Sequence, residues 1–330
     1  MRRAHSSRVG ERIRNGRRMA ARAFFKMRLL WARRPLLRWL MDPFVRHGSP
    51  EHVVLITVAF NNAAAIEAQA RLLAQNFADP YLHVVVDNSP DPAARRAIRD
   101  VCTRLSTEYL RLPRNPFTGR DPSFSHGEAL NYSVSHMRRL DRSPAVGFLD
   151  HDVFPVARHS VLAILEGARA YGRRQNMTEG WYLWPGLCFF KRGAVDLADL
   201  DFRPLRGKGD TGARLYERDL KHWSASDVVF TKQGELELAK EQLPSIECHD
   251  GWAHTTSASG WRGKGTMQFD AIGALISLHF GGHEHRNPAR SGVTSRTSAL
   301  AGRNCRQAKP MNAYLIEIAK RRWTCSVEYL

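Results

Sequence analysis

From residue 51 the chain alternates short apolar runs with longer amphipathic ones. Val53-Val54-Leu55-Ile56-Thr57-Val58-Ala59 is rich in β-branched residues and too short for a helix, which predicts a strand buried on both faces. Asn61 and Asn62 lead into Ala63 to Phe77, where Ile66, Leu72, Leu73 and Phe77 supply a core-facing stripe and predict a helix. Leu82 to Val86 predicts a second buried strand and completes a β-α-β unit. Helices are predicted over Pro92 to Leu105 and Ser123 to Leu140, followed by a strand over Ala145 to Leu149. Gly180 to Phe190 reads as an aromatic strand or hairpin, Ala213 to Trp223 as a helix, and Trp252 to Lys264 as an irregular loop rich in Gly, Ser, Thr and Trp. Leu275 to Phe280 reads as an apolar strand, and Met311 to Trp323 as a helix carrying Ile316, Ile318 and basic residues. Strands alternating with helices predict an α/β fold with a mainly parallel sheet.

Polar residues gather where these strands end, and open α/β sheets bind ligands there. Asp87-Asn88-Ser89-Pro90-Asp91 follows the second strand. Asp150-His151-Asp152 follows the strand that ends at Leu149. Side chains two apart in an extended chain point to one face, so Asp150 and Asp152 can converge on a hard divalent cation. His151 then points to the other face, as a structural or solvent-facing residue.

Composition adds bounds. A chain of 330 residues with 43% hydrophobic content accommodates one large α/β domain or two smaller ones. No apolar run approaches the roughly 20 residues that span a bilayer as a helix. Cys102, Cys188, Cys248, Cys305 and Cys325 lack C-x-x-C spacing, which argues against a zinc site or a disulfide framework and leads to the expectation of a reducing, cytoplasmic compartment. The net charge of +18 is uneven: residues 1 to 46 hold 14 Lys and Arg against Glu11 and Asp42, which is +12 of the +18. Within this leader Phe24, Met27 and Trp31 form one helical stripe, and Leu36, Leu37, Leu40 and Phe44 form another after Pro35. A basic amphipathic segment of this kind suits an anionic membrane surface, here the cytoplasmic face. A basic tail, a helix packed on its own domain and an Arg-rich targeting leader are the competing readings.

The first strand is followed by Phe60-Asn61-Asn62 and not by a Gly-rich phosphate loop, which argues against a dinucleotide enzyme or a P-loop kinase. Taken together and in order, Val53 to Asn62, Val84 to Asp91, the Gly127/Ala129/Asn131 cluster and Phe148 to Pro155 resemble a GT-A glycosyltransferase, nearest to family 2. The resemblance covers about a hundred residues. It implies a Rossmann-like, mixed but mainly parallel sheet flanked by helices, with residues 1–49 as the basic leader, 50–157 as the half that binds a nucleotide sugar and 158–330 as the acceptor-binding and catalytic half.

By that resemblance the Thr57 and Ala59 region, Asp87 or Asn88, and Asn131 would contact the donor. Asp150 and Asp152 would bind its ribose and a Mn²⁺ or Mg²⁺ ion on its diphosphate. Such an ion neutralises a diphosphate leaving group as a Lewis acid, without proton transfer. His279 resembles the family's late metal-binding histidine, with His283 in reserve, although His279, His283 and His285 would also suit a separate zinc site. Arg286 could neutralise the diphosphate, and Trp261, Arg262 and Lys264 are further candidates for the diphosphate or the acceptor. Asp210 is the candidate base of an inverting displacement, unless Asp210 or Thr211 only caps a helix; Glu217, Asp219 and Glu179 are weaker candidates. Trp181, Tyr182 and Trp184 could stack on a sugar or lipid acceptor, or serve as core. The implied activity is metal-dependent transfer of a hexose from a nucleotide-diphosphate sugar to a glycan or lipid-linked acceptor. The competing functions are a sugar nucleotidyltransferase and a non-catalytic basic protein that binds anionic lipid or nucleic acid.

Overall fold

The computed structural model describes residues 50–137, 140–197, 199–235 and 247–255. The leader, Trp261, Arg262, Lys264, the stretch from His279 to Arg286 and the helix expected at Met311 to Trp323 lie outside the described residues.

Strand β1 (Val53–Ala59) is buried at every position, as its apolar run predicts. Asn62 caps helix α1 (Ala63–Asn76) by accepting from the Ala65 amide at 2.9 Å. Strand β2 (Tyr81–Asp87) pairs with β1 in parallel, from Val53 with Tyr81 to Ala59 with Asp87. Asp91 caps helix α2 (Pro92–Arg104), with proline in its first turn where no amide is lost. Strand β3 (Glu108–Arg111), which the sequence reading did not separate from its surroundings, joins β2 in parallel. Helix α3 (Pro122–His136) is capped by Asp121 and ends earlier than Leu140. Strand β4 (Ala145–Asp150) returns beside β1, again in parallel.

The second half extends the same sheet. Strand β5 (Val153–Pro155) and the short helix α4 (Val161–Ile164) precede strands β6 (Ala170–Met177) and β7 (Gly180–Lys191), which form an antiparallel hairpin. Helix α5 is only Arg214–Arg218, shorter than the Ala213 to Trp223 pattern suggests, and strand β8 (Val228–Phe230) pairs with β6 in parallel. The seven-stranded order is β3-β2-β1-β4-β7-β6-β8, and β7 alone runs against the others. The fold is therefore the mixed, mainly parallel sheet flanked by helices that was expected.

A second, four-stranded sheet has the order β5-β11-β10-β9, from β9 (Gln233–Glu235), β10 (Glu247–His249) and β11 (Trp252–His254). The irregular loop expected from Trp252 thus begins with a strand. Asp250 and Gly251, with φ of 47° and 82°, form the two-residue turn that joins β10 to β11. Positive φ at both turn positions matches the twist of a tight hairpin.

Apolar clusters cover both faces of the large sheet. Val54, Ile56, Phe148, Phe190 and Phe202 pack with α3 on one side; Val53, Leu55, Leu149, Phe189 and Trp252 pack with Leu73 of α1 and with Phe77 just beyond it on the other. A side chain at Gly127 would meet the Phe202 carbonyl oxygen at 2.5 Å, so this glycine lets residues 202–203 cross α3. Asn131 holds the same segment through Asp201 and the Phe202 amide. Gly127 and Asn131 thus form a docking face of α3 inside the protein. Among the described residues no helix is long and apolar enough to cross a membrane.

Candidate active site at the ends of β1, β2 and β4

The carboxyl ends of the parallel strands meet the small sheet at the Asp150-His151-Asp152 turn. Gln69 of α1, wholly buried, donates from its side-chain amide to the Asp150 and Val153 carbonyls, both at 2.7 Å, and so clasps the turn from both sides. Thr57 donates to Gln69 Oε1 at 2.8 Å and lies 3.0 Å from His83 Nε2. Thr57 and Ala59 are both fully buried. Thr57 serves the turn, and Ala59 packs with Ile66 and Ile98 beneath the helices, so neither side chain is presented to a ligand.

Asp87 is likewise internal. Its two carboxylate oxygens accept from the Ser89 amide at 2.9 Å and from the Tyr109 hydroxyl at 2.7 Å. Burial, reinforced by that bond to Asp87, pushes the Tyr109 phenol up. Asn88 donates to Ser125 at 3.0 Å and accepts from Asn115 at 3.1 Å. Together these bonds fix the carboxyl end of β2.

The two acids of the turn have different surroundings. The Asp150 side chain is 22% exposed, with His126 of α3 at 3.1 Å. Its pKa is raised, chiefly by burial; His126 opposes the rise and the nearby Asp152 charge adds to it. Asp152 is buried, and its Oδ1 lies 3.7 Å from His254 Nε2. His151 is buried too, and its Nδ1 donates to the Val58 carbonyl at 3.2 Å, because that oxygen can only accept.

His254 is part of a brace. It sits directly across from Glu247 in the β10–β11 pair, and Nδ1 lies 3.2 Å from Glu247 Oε2. The same oxygen takes Arg173 at 2.8 Å and faces His249 at 3.4 Å. Bonds from His249 and His254 hold the Glu247 carboxyl far below the ordinary range, against its partial burial. Burial disfavours a charged His254 ring, but Asp152, Glu247 and Asp150 outweigh it and the pKa is raised. The Arg173 guanidinium lies 4.9 Å from the centre of the Trp184 ring, whose other neighbour is the His254 ring at 4.8 Å. The β6–β7 register shifts between Gly172 and Arg174, and this irregularity brings Arg173 and Trp184 to the small sheet.

Trp184 thus belongs to the site as a packing plate. Trp181 instead meets Phe230 edge-on at 5.0 Å, within the cluster on the opposite face of the sheet, so the two tryptophans do not form one platform. Tyr182 is buried and accepts from the Asp210 amide at 3.1 Å. Asp210 is exposed on the turn before α5, and its Oδ1 accepts from the Thr211 amide at 2.7 Å. It is not a helix cap, since Ala213 holds that position. Thr211 donates to the Ser123 carbonyl at 3.0 Å, which ties the turn to α3 one helical turn before His126. Glu179 pairs with Lys208 at the surface, Glu217 lies within α5, and Asp219, at the end of α5, has its pKa raised chiefly by burial.

The donor set suits a divalent cation. Two carboxylates near one another in a largely buried place repel, and a cation between them removes the repulsion. The carboxylate–histidine arrangement, with Nδ1 held by Glu247 and Nε2 directed at Asp152, is the usual way a ligating imidazole is oriented. Among the described residues no three His, Cys, Asp or Glu side chains close into a metal cluster. An ion that keeps positions for substrate phosphates needs only one or two protein carboxylates. Gln69, Arg173, Glu247 and His254 were not singled out from the sequence, and His126 only as part of a helix start.

No family model matches the sequence, and no curated protein does. Solved structures similar to the chain include the WbbM bifunctional glycosyltransferase (12% identity, TM-score 0.30), with the match covering 46% of this chain and 33% of that one. The galactosyltransferase LgtC, in complex with donor and acceptor sugar analogues, is 13% identical with a TM-score of 0.34 over 55% of this chain and 73% of its own. Glucosyl-3-phosphoglycerate synthase from Mycobacterium tuberculosis, in complex with Mn²⁺, UDP and glucosyl-3-phosphoglycerate, is 14% identical with a TM-score of 0.29 over 47% and 63%. The likeness is too distant to carry argument about this chain, and the functional reading stands on the site itself.

Proposed function

We propose that the chain is a metal-dependent glycosyltransferase that moves a sugar, of hexose type, from a nucleotide-diphosphate donor to a glycan or lipid-linked acceptor. The observation that carries the reading is the Asp150-His151-Asp152 turn, clasped at the carboxyl ends of parallel strands with His254 aimed at Asp152. Asp150, Asp152 and His254 are the residues that would hold Mn²⁺ or Mg²⁺, and His279, the histidine expected as a metal ligand, lies outside the described residues. The ion would supply Lewis-acid neutralisation of the departing diphosphate. His126, beside Asp150, adds a polar contact for the donor at the mouth of the site.

Asp210 is the group proposed to take the acceptor hydroxyl's proton as the oxygen attacks the anomeric carbon, and direct displacement then inverts the configuration. Its exposure on the turn tied to α3 leaves room for an acceptor to approach. The basic leader of residues 1 to 46 suits attachment to the cytoplasmic membrane face, where lipid-linked acceptors would be met. The test is a thermal-shift screen of nucleotide sugars with and without Mn²⁺, since a ligand that binds only the folded state raises Tm. A rise that requires both metal and donor, and that is absent in Asp152→Ala, supports the reading; no rise with any donor contradicts it.

A further inference from the structure

Helix α1 reaches into the candidate metal turn with the side chain of Gln69. The polarity of its hydrogen bonds is fixed by elementary chemistry. The Asp150 and Val153 carbonyls can only accept, so the atom of Gln69 facing them is its NH₂ group. Gln69 Oε1 therefore accepts, and the Thr57 hydroxyl spends its single proton there. His83 Nε2 must then be the N–H that donates to Thr57. All donors run one way, from β2 through β1 and α1 to the turn. Gln69 and Thr57 are wholly buried and His83 nearly so, so water does not compete for these bonds.

We propose that Gln69 is the positioning residue of the metal turn: by tying the carbonyls before and after His151-Asp152 to one amide, it sets the spacing at which Asp150 and Asp152 face a shared divalent cation. The proposal rests on the reading of these two acids as metal ligands. Two turns further along the same helix face, Asn76 makes a comparable bond to the Pro155 carbonyl at 2.8 Å. Asn76 pins β5 but lies beyond the turn, so it is the built-in control for a merely structural tie between α1 and β5.

The experiment is Mn²⁺ titration of the full chain, followed by the electron paramagnetic resonance signal of free Mn²⁺, at a temperature where circular dichroism shows each variant folded. Gln69→Leu is expected to weaken Mn²⁺ binding about tenfold to a hundredfold, the range for losing a residue that orients metal ligands. Asn76→Leu is expected to bind Mn²⁺ as the parent does, and Asp152→Ala to lose binding. Should Gln69→Leu not fold, Thr57→Val retains the amide but removes the hydroxyl that orients it, and is expected to weaken binding to a smaller degree. Parent-like binding by Gln69→Leu, or by Thr57→Val in its stead, alongside loss in Asp152→Ala overturns the positioning role alone. Equal weakening by Asn76→Leu overturns it as well. Parent-like binding by Asp152→Ala overturns the metal reading and the positioning role together.

Discussion

The two sheets of this protein are held together by different forces. In the large sheet β1 is buried at all seven positions, and Phe148, Phe189, Phe190 and Phe202 are buried on its two faces. The small sheet has strands of three residues and two large buried apolar side chains, Phe154 and Trp252. Beside these two side chains lies charge: Glu247 gathers Arg173, His249 and His254, and His254 turns to Asp152. Hydrophobic burial is non-directional and gives bulk stability, whereas paired charges fix orientation and contribute modest net stability. The large sheet should therefore set how stable the molecule is, and the small sheet how well the turn between them binds a cation.

That division can be broken from its strong side first. Phe190→Ala should cost about 3–5 kcal/mol in urea unfolding, the usual loss for a buried phenylalanine, while Mn²⁺ affinity of the folded protein stays unchanged. A loss of affinity without a loss of stability would reverse the assignment of roles. The next effect is a pH dependence. Burial lowers the His83 pKa from 6.5 to about 4. The unfolded chain thus takes up this proton before the folded one does, and stability from the neutral ring is present above about 6.5 and lost as pH falls toward 4. About 3 kcal/mol should disappear across that window, by the 1.36 kcal/mol per pKa unit rule, and His83→Leu should flatten this part of the curve.

Gly127→Ala places a methyl against the Phe202 carbonyl and should cost about 1–3 kcal/mol. Gly167→Ala, with nothing within 4 Å of the new carbon, is the comparison expected to show no loss. The last change belongs to the small sheet. Glu247→Gln keeps the shape but removes the charge that pairs with Arg173 and orients His254. Its Mn²⁺ affinity should fall by about tenfold, which isothermal titration would read.

Strands β1, β2, β4 and β7 of the large sheet were legible because their signals, continuous apolar or aromatic runs, are local. Strands β3, β6 and β8, which are short or carry exposed polar residues, were not. The place of Asp150 and Asp152 at the end of a strand was legible from such a local run as well. The brace was not, because Arg173 and Glu247 are far apart in sequence and meet only through a register shift and a second sheet. One local signal was available: Asp250-Gly251 is a strong tight-turn pair, and reading it would have placed Glu247 opposite His254. Gln69 had none, since a polar residue in a helical stripe is ordinarily read as solvent-facing. Thr57, Asp87, Asn88 and Asn131 sit in the predicted places, yet their polar atoms are bonded within the protein, and spacing alone cannot distinguish shaping a pocket from lining it.

The central claim is that the turn between the sheets is a metal centre completed by His254. Crystals soaked with Mn²⁺, measured at the manganese absorption edge, test it directly. The account predicts one anomalous peak between the carboxylates of Asp150 and Asp152 and Nε2 of His254. A peak elsewhere in the protein, or none at that turn, would contradict it.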